Sequence, residues 1–428
     1  MFDIDDPKLA AVAWSRITEP GDAVAGALVN NLGACEALRW LLQTASATQL
    51  EPETLFTHDP ILMVSTGDTG DIFSLTKDFE PANQKVKPEP RGVSAADPEV
   101  LTRLKSSAEG WRVRLADLDP MADIKNGERV GAHLILPGDP HWPIQFADLG
   151  DAAPFVLWVK GDIEFAMFAG RSVALVGSRA STHYGEQVAV QMAAGLTERS
   201  FAVISGGAYG IDAAAHRGTL TSEGFTVAFL AGGIDRPYPP GNTGLLRAIA
   251  DTGAVVSEVP PGSTPYRNRF LARNRLIAAL AGATVVVEAA WRSGALSTAR
   301  HASSLLRPVG AVPGPVTSMA SGGCHQLIRS GEAVLVTDAG EVAELAGNFA
   351  HDAAAIPVGR TEESDGLTAD QKQVYGILPI GKHLDVAALT RNAGLPLPTV
   401  LAALGILEIR GLAQSKNNAW RRGKVTKV

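Results

Sequence analysis

The sequence predicts an α/β chain centred on a doubly wound, mostly parallel β-sheet. Three observations predict it. Six short apolar runs rich in β-branched residues recur from residue 172 onwards. Amphipathic stretches of helical length separate them, and loops of Gly, Ser and Arg follow several of the runs. Short apolar strands alternating with helices build parallel sheets covered on both faces. Such sheets take ligands at the carboxyl ends of their strands.

Each element follows from local pattern. In residues 1–50, Trp14, Ile17, Val24, Ala27, Leu28 and Leu32 recur at three- and four-residue spacing, as do Leu38, Leu41 and Leu42. This predicts helices, with Leu32-Gly33-Ala34 as a tight turn between two of them. Pro81, Pro88, Pro90 and Pro98 break up the next stretch, which reads as a long loop or insertion followed by a helix near 98–118. The strand runs are 172–176, 201–205, 226–230, 254–257, 284–288 and 309–312, and the helical stretches are 183–199, 211–222, 243–252, 270–281 and 295–306. Residues 351–366 are polar and aperiodic, as in a linker. Residues 367–412 give three helical patterns, and a hairpin around Asn417-Asn418 completes a helices-plus-wing arrangement. The expected domains are therefore 1–130 (helical, with the irregular stretch), 131–350 (a Rossmann-like core), a linker at 351–366, and 367–428 (winged-helix-like).

Composition narrows the class. The chain has 428 residues, 46% apolar and 19% charged, enough for two or three domains with real cores. No apolar run approaches the roughly 18 residues a membrane span needs, and the start of the chain is acidic, unlike a secretory signal. With only Cys35 and Cys324, neither a disulfide framework nor a zinc cluster is expected. A soluble, cytoplasmic protein without metal or cofactor is the expectation. The net charge of −7 conceals an asymmetry. Residues 1–130 carry 21 Asp/Glu against 13 Lys/Arg, whereas residues 171–330 carry 14 Arg, no Lys and eight Asp/Glu, a balance of +6. A basic part within an acidic chain points towards a polyanion, and guanidinium forks suit phosphate. Surface ion pairing explains such arginines equally well.

Three strand ends carry the candidate chemistry. Gly177-Ser178-Arg179 leads into a helix near His183, offering close backbone approach, a hydroxyl and a bidentate donor. Ser205-Gly206-Gly207-Ala208-Tyr209-Gly210 has the composition of a phosphate-cradling turn. In the helix after it, Asp212 is a candidate cap, and His216 is either a structural histidine or a ligand contact. No Gly-Lys-Ser/Thr follows, and the spacing is not that of a dinucleotide fingerprint. The third segment, Tyr266 to Ala278, holds Arg267, Arg269, Arg273 and Arg275 among Asn268, Phe270 and Asn274. Aromatics beside guanidiniums suit an unpaired nucleic-acid strand, although ion pairing accounts for part of such a cluster. Glu288 closes the fifth strand as a possible catalytic carboxylate or helix-end acceptor, and Ser293 is placed to cap the next helix. Neither a nucleophile elbow nor paired carboxylates stand out.

Taken together, the ordered motifs resemble the DprA/Smf family, the DNA-processing proteins of natural transformation. They are Gly138-Asp139-Pro140-His141-Trp142-Pro143, Pro154 to Gly161, Gly177-Ser178-Arg179, the 205–212 turn with His216, and Tyr238-Pro239-Pro240-Gly241-Asn242. Further along come Ser257-Glu258, Phe270 with Arg273-Asn274-Arg275, Glu288, Ser293-Gly294 with Thr298-Ala299, Val312-Pro313-Gly314 and Leu327-Ile328. Leu271, Ala279 and His325 stand where the family more often has Pro, Gly and Asn. The resemblance implies a Rossmann-like core flanked by an N-terminal helical, SAM-like domain and a C-terminal winged helix. It also implies a homodimeric, non-enzymatic protein of competence and DNA recombination that binds and protects single-stranded DNA and loads the RecA recombinase. By motif, Gly177, Ser178, Arg179, Ser205, Gly206, Gly207, Ala208, Gly210, Arg267, Arg269, Phe270, Arg273, Asn274 and Arg275 would line the groove. Asp212, His216, Asn242, Glu288 and Ser293 would support the loops. The alternative is a nucleotide-processing phosphoribohydrolase of the lysine-decarboxylase-like type, but its Pro-Gly-Gly-x-Gly-Thr-x-x-Glu motif is absent from the corresponding 288–294.

Overall fold

A computed structural model describes residues 2–46, 98–347, 349–354 and 365–423. Expectations for the irregular stretch up to residue 97, most of the linker, and Lys424 and Lys427 fall outside these residues. Two compact units are present, Met1–Ala354 and Ala355–Val428.

The first unit opens with helices α1 (Pro7–Ile17), α2 (Ala23–Leu32) and α3 (Ala34–Ser46), followed by α4 (Pro98–Val113) and α5 (Pro120–Arg129). Asp6 and Asp22 cap α1 and α2 by accepting backbone N–H groups, a contribution of about 1 kcal/mol each. Gly33 adopts φ +81, which lets the chain reverse between α2 and α3 as its turn signal predicts. Trp14 is fully buried, donates its indole N–H to the Ala34 carbonyl at 3.0 Å, and meets Trp111 edge-on at 5.4 Å. The aromatic pair ties α1 to α4 across the undescribed segment.

The central sheet contains β1 (His133–Ile135), β2 (Leu157–Gly161), β3 (Ser172–Gly177), β4 (Ala202–Ser205), β5 (Thr226–Phe229), β6 (Ala254–Ser257), β7 (Ala283–Glu288), β8 (Val309–Ala311) and β9 (Val334–Leu335). Its order is β1-β2-β6-β5-β4-β3-β7-β8-β9. The strands from β3 to β9 pair in parallel, whereas β1 and β2 extend the β6 edge antiparallel. Connecting helices are α6 (His183–Glu198), α7 (Ile211–Thr221), α8 (Thr243–Thr252), α9 (Arg267–Leu280), α10 (Ala295–Ser304), α11 (Gly322–Ser330), α12 (Ala339–Ala346) and α13 (Phe349–Asp352). Alternate β3 side chains serve opposite cores: Val173 and Leu175 pack with Met192 and Leu196 of α6, while Ala174 and Val176 join Ile204, Phe229, Leu276 and Ile277. Burial on both faces is why these strands read as continuous apolar runs. The chain leaves β3 for β4, β5 and β6 on one side and returns to β7 on the other. The strand order therefore reverses between the carboxyl ends of β3 and β7, the crevice position of doubly wound sheets.

The second unit holds α14 (Ala369–Ile377), α15 (Val386–Ala393) and α16 (Leu397–Ile409), with a sheet of β10 (Leu384–Asp385), β11 (Ala413–Lys416) and β12 (Ala419–Arg422) in the order β10-β12-β11. Val374, Leu389, Val400, Leu404 and Leu407 form its core. Thr368 and Gln371 make a reciprocal capping box on α14. Asn417 (φ 51) and Asn418 (φ 62) form the two-residue hairpin turn between β11 and β12, the left-handed pair that such turns require.

Candidate nucleic-acid interface

Two turns at the carboxyl edge of the sheet are built against each other. The Ile211 amide donates to the Ser178 carbonyl at 3.2 Å, and Gly210 (φ +75) lies so close that a β-carbon there would overlap the Ser178 backbone. A β-carbon at Gly177 would come within 2.6 Å of Ile211. Glycine is therefore a steric requirement at both positions. Asn242 donates to the Gly207 and Ala208 carbonyls at 2.9 and 3.1 Å, bracing the turn from the far side. Ser205 is buried and donates to the Leu175 carbonyl at 2.6 Å, so its hydroxyl faces the sheet.

Asp212 is not a cap of its own helix, since Gly210 occupies that position without a side-chain bond. The buried Asp212 carboxylate reaches back to the amides of Ala208 and Gly206 instead. Burial pushes its carboxyl above the ordinary carboxylate range, against the pull of Arg273, those two amides and Arg179. His216 is a structural histidine. Its Nδ1 pairs with the Thr226 hydroxyl at 2.7 Å, and that hydroxyl donates onward to the Val203 carbonyl, so Nδ1 carries the proton. Burial, reinforced by Arg273 and Arg217, lowers its pKa to about 3 and keeps the ring neutral. Glu288 at the switch point accepts from the Thr182 amide at 2.9 Å and the Thr182 hydroxyl at 2.5 Å, which pins the start of α6. Ser293 accepts from the Ala295 amide at 3.3 Å at the start of α10.

The arginine-rich segment differs from its sequence reading. α9 begins at Arg267, three residues before the helix expected at 270. Three of its four arginines do not face solvent. Arg273 is 4% exposed, donates to the Gly206 carbonyl at 2.8 Å and to the Phe229 carbonyl, and its Nε donates to Asn274 Oδ1 at 3.3 Å. Desolvation lowers its pKa to about 10. Arg275 forms a buried two-pronged pair with Glu258 at 2.7 and 2.6 Å and also donates to the Ala152 carbonyl. Arg269 pairs with Glu19, between α1 and α2, at 2.9 and 3.2 Å. Asn274 is buried and donates to the Gly294 carbonyl at 3.3 Å. The free-groove role expected of Arg269, Arg273 and Arg275 is thus replaced by internal bonding, because carbonyls and carboxylates from distant segments meet them first. Only Arg267 of the four projects into solvent.

What does face solvent at this edge is a cluster of cations and rings. Exposed Arg179 lies over the Phe270 ring at 4.3 Å, and Tyr238 approaches the same ring at 5.6 Å. Tyr238 is 44% exposed, and Tyr209 is 48% exposed, its hydroxyl accepting the Gly241 amide at 3.2 Å. Arg292 and Trp291, both exposed, follow β7 at the same end of the sheet. The structure therefore gathers Gly177, Ser178, Arg179, Gly206, Gly207, Ala208, Gly210, Arg267 and Phe270 at one edge, with Arg273 directly beneath the glycine turn. Tyr209, Tyr238, Trp291 and Arg292 stood within segments read from the sequence, but none was expected to line the groove. Their one signal was aromatic and guanidinium residues inside loops that follow strands.

A Rossmann-like α/β core with a glycine turn and a cation–aromatic rim at its carboxyl edge defines the class of protein. Residues 133–347 match the model of the family described as DNA recombination-mediator protein A. The chain is 48% identical over 310 residues to "Putative DNA processing protein DprA" of Mycobacterium tuberculosis, covering 68% of this chain and 77% of that protein. It is 34% identical over 291 residues to "Protein Smf" of Escherichia coli, covering 66% and 75%. The X-ray structure of DNA processing protein A from Streptococcus pneumoniae is similar in fold, with a TM-score of 0.50 and 33% identity over 56% of this chain and 85% of that one. This chain belongs to the DprA/Smf family.

Proposed function

We propose that the protein binds single-stranded DNA along the carboxyl edge of its central sheet and acts in recombination by protecting that strand and passing it to the RecA recombinase. The observation that carries this reading is the exposed Arg179 guanidinium over the half-buried Phe270 ring, flanked by exposed Tyr238 and set beside the 206–210 turn. Rings open to solvent need unstacked bases, which a duplex does not present, while guanidiniums and turn amides supply the phosphate contacts. In this reading Arg179, Arg267 and Phe270 touch DNA. Arg273, Asn242 and Asp212 hold the turn, Arg275 and Glu258 fix α9 from behind, and the protein carries out no covalent chemistry. The protein works in the cytoplasm as a homodimer. Its N-terminal helices, within 1–130, are a SAM-like module, the core is 131–350, and the linker at 351–366 leads to a winged helix at 367–428. Within that last domain α16 carries Glu408 as its sole ionisable side chain, so it offers none of the Arg or Lys donors with which a recognition helix reads base edges.

The test is fluorescence anisotropy with labelled single- and double-stranded oligonucleotides at several salt concentrations. The expected result is preference for the single strand, with affinity falling as salt rises by a log–log slope of about 0.7 per phosphate neutralised. Equal affinity for the duplex, or binding indifferent to salt, overturns the proposal. Acceleration of RecA filament formation on coated strands checks the recombination step.

A further inference from the structure

Tyr266, immediately before α9, is not among the DNA contacts named above, yet its exposed ring is held by a defined partner. It is 41% exposed. The Arg269 guanidinium lies over one side of the ring at 4.7 Å. Arg269 in turn is held by Glu19 at 2.9 and 3.2 Å, the carboxylate that also binds Arg114 at 2.5 Å. Arg269 also donates to the Thr264 carbonyl at 3.1 Å. Ring, guanidinium and carboxylate thus form a chain of contacts joining the start of α9 to the turn between α1 and α2. Arg269 holds the ring from one side and leaves ring surface open to solvent, as a platform for a planar partner requires.

Spacing supplies the second observation. Tyr266 is the extended N-cap of α9, and the Phe270 amide donates to its carbonyl at 3.3 Å, so the two backbone positions are one helical turn, about 5–6 Å, apart. That is about two nucleotide steps at ~3.4 Å each. We infer that Tyr266 is a second base-stacking platform, about two nucleotides along the strand from Phe270, and that Glu19 is its positioning residue. The inference rests on the single-strand reading and extends the DNA track to the junction with the N-terminal helices. Fixing the ring beforehand lowers the ordering cost of binding, which gives the N-terminal helices a direct part in affinity.

The experiment scans one abasic nucleotide through a labelled oligothymidylate and measures affinity for the full chain, Phe270→Ala, Tyr266→Ala, Tyr266→Phe and Glu19→Ala. Stacking contributes about 1–3 kcal/mol per base, so Tyr266→Ala is expected to weaken binding about 5- to 150-fold. It should also abolish the penalty of the abasic nucleotide at one position only. Phe270→Ala should abolish that penalty at a different position, about two nucleotides away. Tyr266→Phe should keep most of the affinity, showing that ring rather than fold is being read. Glu19→Ala should weaken binding in the parent chain and change nothing further in Tyr266→Ala. If the parent chain binds no single strand, the underlying reading fails. If it binds and responds to Phe270→Ala while Tyr266→Ala leaves every abasic penalty intact, the platform is refuted. An equal loss from Glu19→Ala in both backgrounds refutes the positioning role.

Discussion

Replacing Arg273 by Met separates a residue that holds the glycine turn from one that touches DNA. The guanidinium is 4% exposed and serves the Gly206 and Phe229 carbonyls beside the buried Asp212. Methionine fills much of the stem volume but leaves both acceptors unpaired and removes the cation that offsets Asp212. Each buried acceptor left unsatisfied costs about 1–3 kcal/mol, and stripping a buried charge of its partner costs about 3–5 kcal/mol. These effects overlap, because Asp212 can take up a proton, so the expected total is about 3–5 kcal/mol. At roughly 2–4 °C per kcal/mol for larger domains, the melting temperature should fall by about 6–20 °C, nearer the lower figure for a unit of this size. Differential scanning fluorimetry measures the shift, and anisotropy at a temperature where the variant is folded measures binding. An unchanged melting temperature with weakened binding would refute the reasoning, since the guanidinium would then be meeting the strand rather than the turn.

Arg179→Ala and Arg267→Ala should behave oppositely, shifting stability by no more than about 0.5 kcal/mol. Each should lower the salt slope by about 0.7 for every phosphate it contacts, as read by anisotropy across salt. Gly210→Ala should destabilise by about 3 kcal/mol or more, because a β-carbon there overlaps the Ser178 backbone at a positive φ; chemical denaturation checks this. His216 gives a pH test. With its folded pKa near 3 against an ordinary 6.5, the unfolded chain takes up a proton that the folded chain refuses. Stability is therefore full above pH 6.5 and declines as pH falls towards 3, by about 2 kcal/mol at pH 5. Asp212, whose pKa is raised, acts in the opposite sense, but it is common to the parent chain and His216→Gln. The difference between their pH 7-to-5 stability changes therefore isolates the histidine, and the variant should show the shallower decline.

The strands were legible because β3 to β8 are buried on both faces, leaving near-continuous Val, Ile and Ala in the sequence. Helices following glycine turns were legible for the same reason that Gly33, Gly210 and the Asn417-Asn418 pair are positionally constrained. β1 and β2 escaped notice because antiparallel runs of three and five residues carry little periodicity. The site was half legible. Arg179, Phe270 and the 205–210 turn are local features of strand ends. Arg269, Arg273 and Arg275 were misread because their partners, Glu19, Gly206 and Phe229, and Glu258, lie far from them in sequence or across the sheet. A run of arginines looks the same whether it faces solvent or carbonyls. Tyr238 and Tyr266 stand in segments read from the sequence, but the contacts that hold them, with Phe270 and Arg269, do not show there.

Photocrosslinking of the full chain to a single strand carrying 5-iodouracil, with the adducts mapped by mass spectrometry, tests most directly where the strand runs. Adducts at Phe270 and Tyr266, with Tyr238 or Tyr209 beside them, are the predicted outcome. Adducts confined to residues 365–423, or scattered without regard to the carboxyl edge of the sheet, would contradict it.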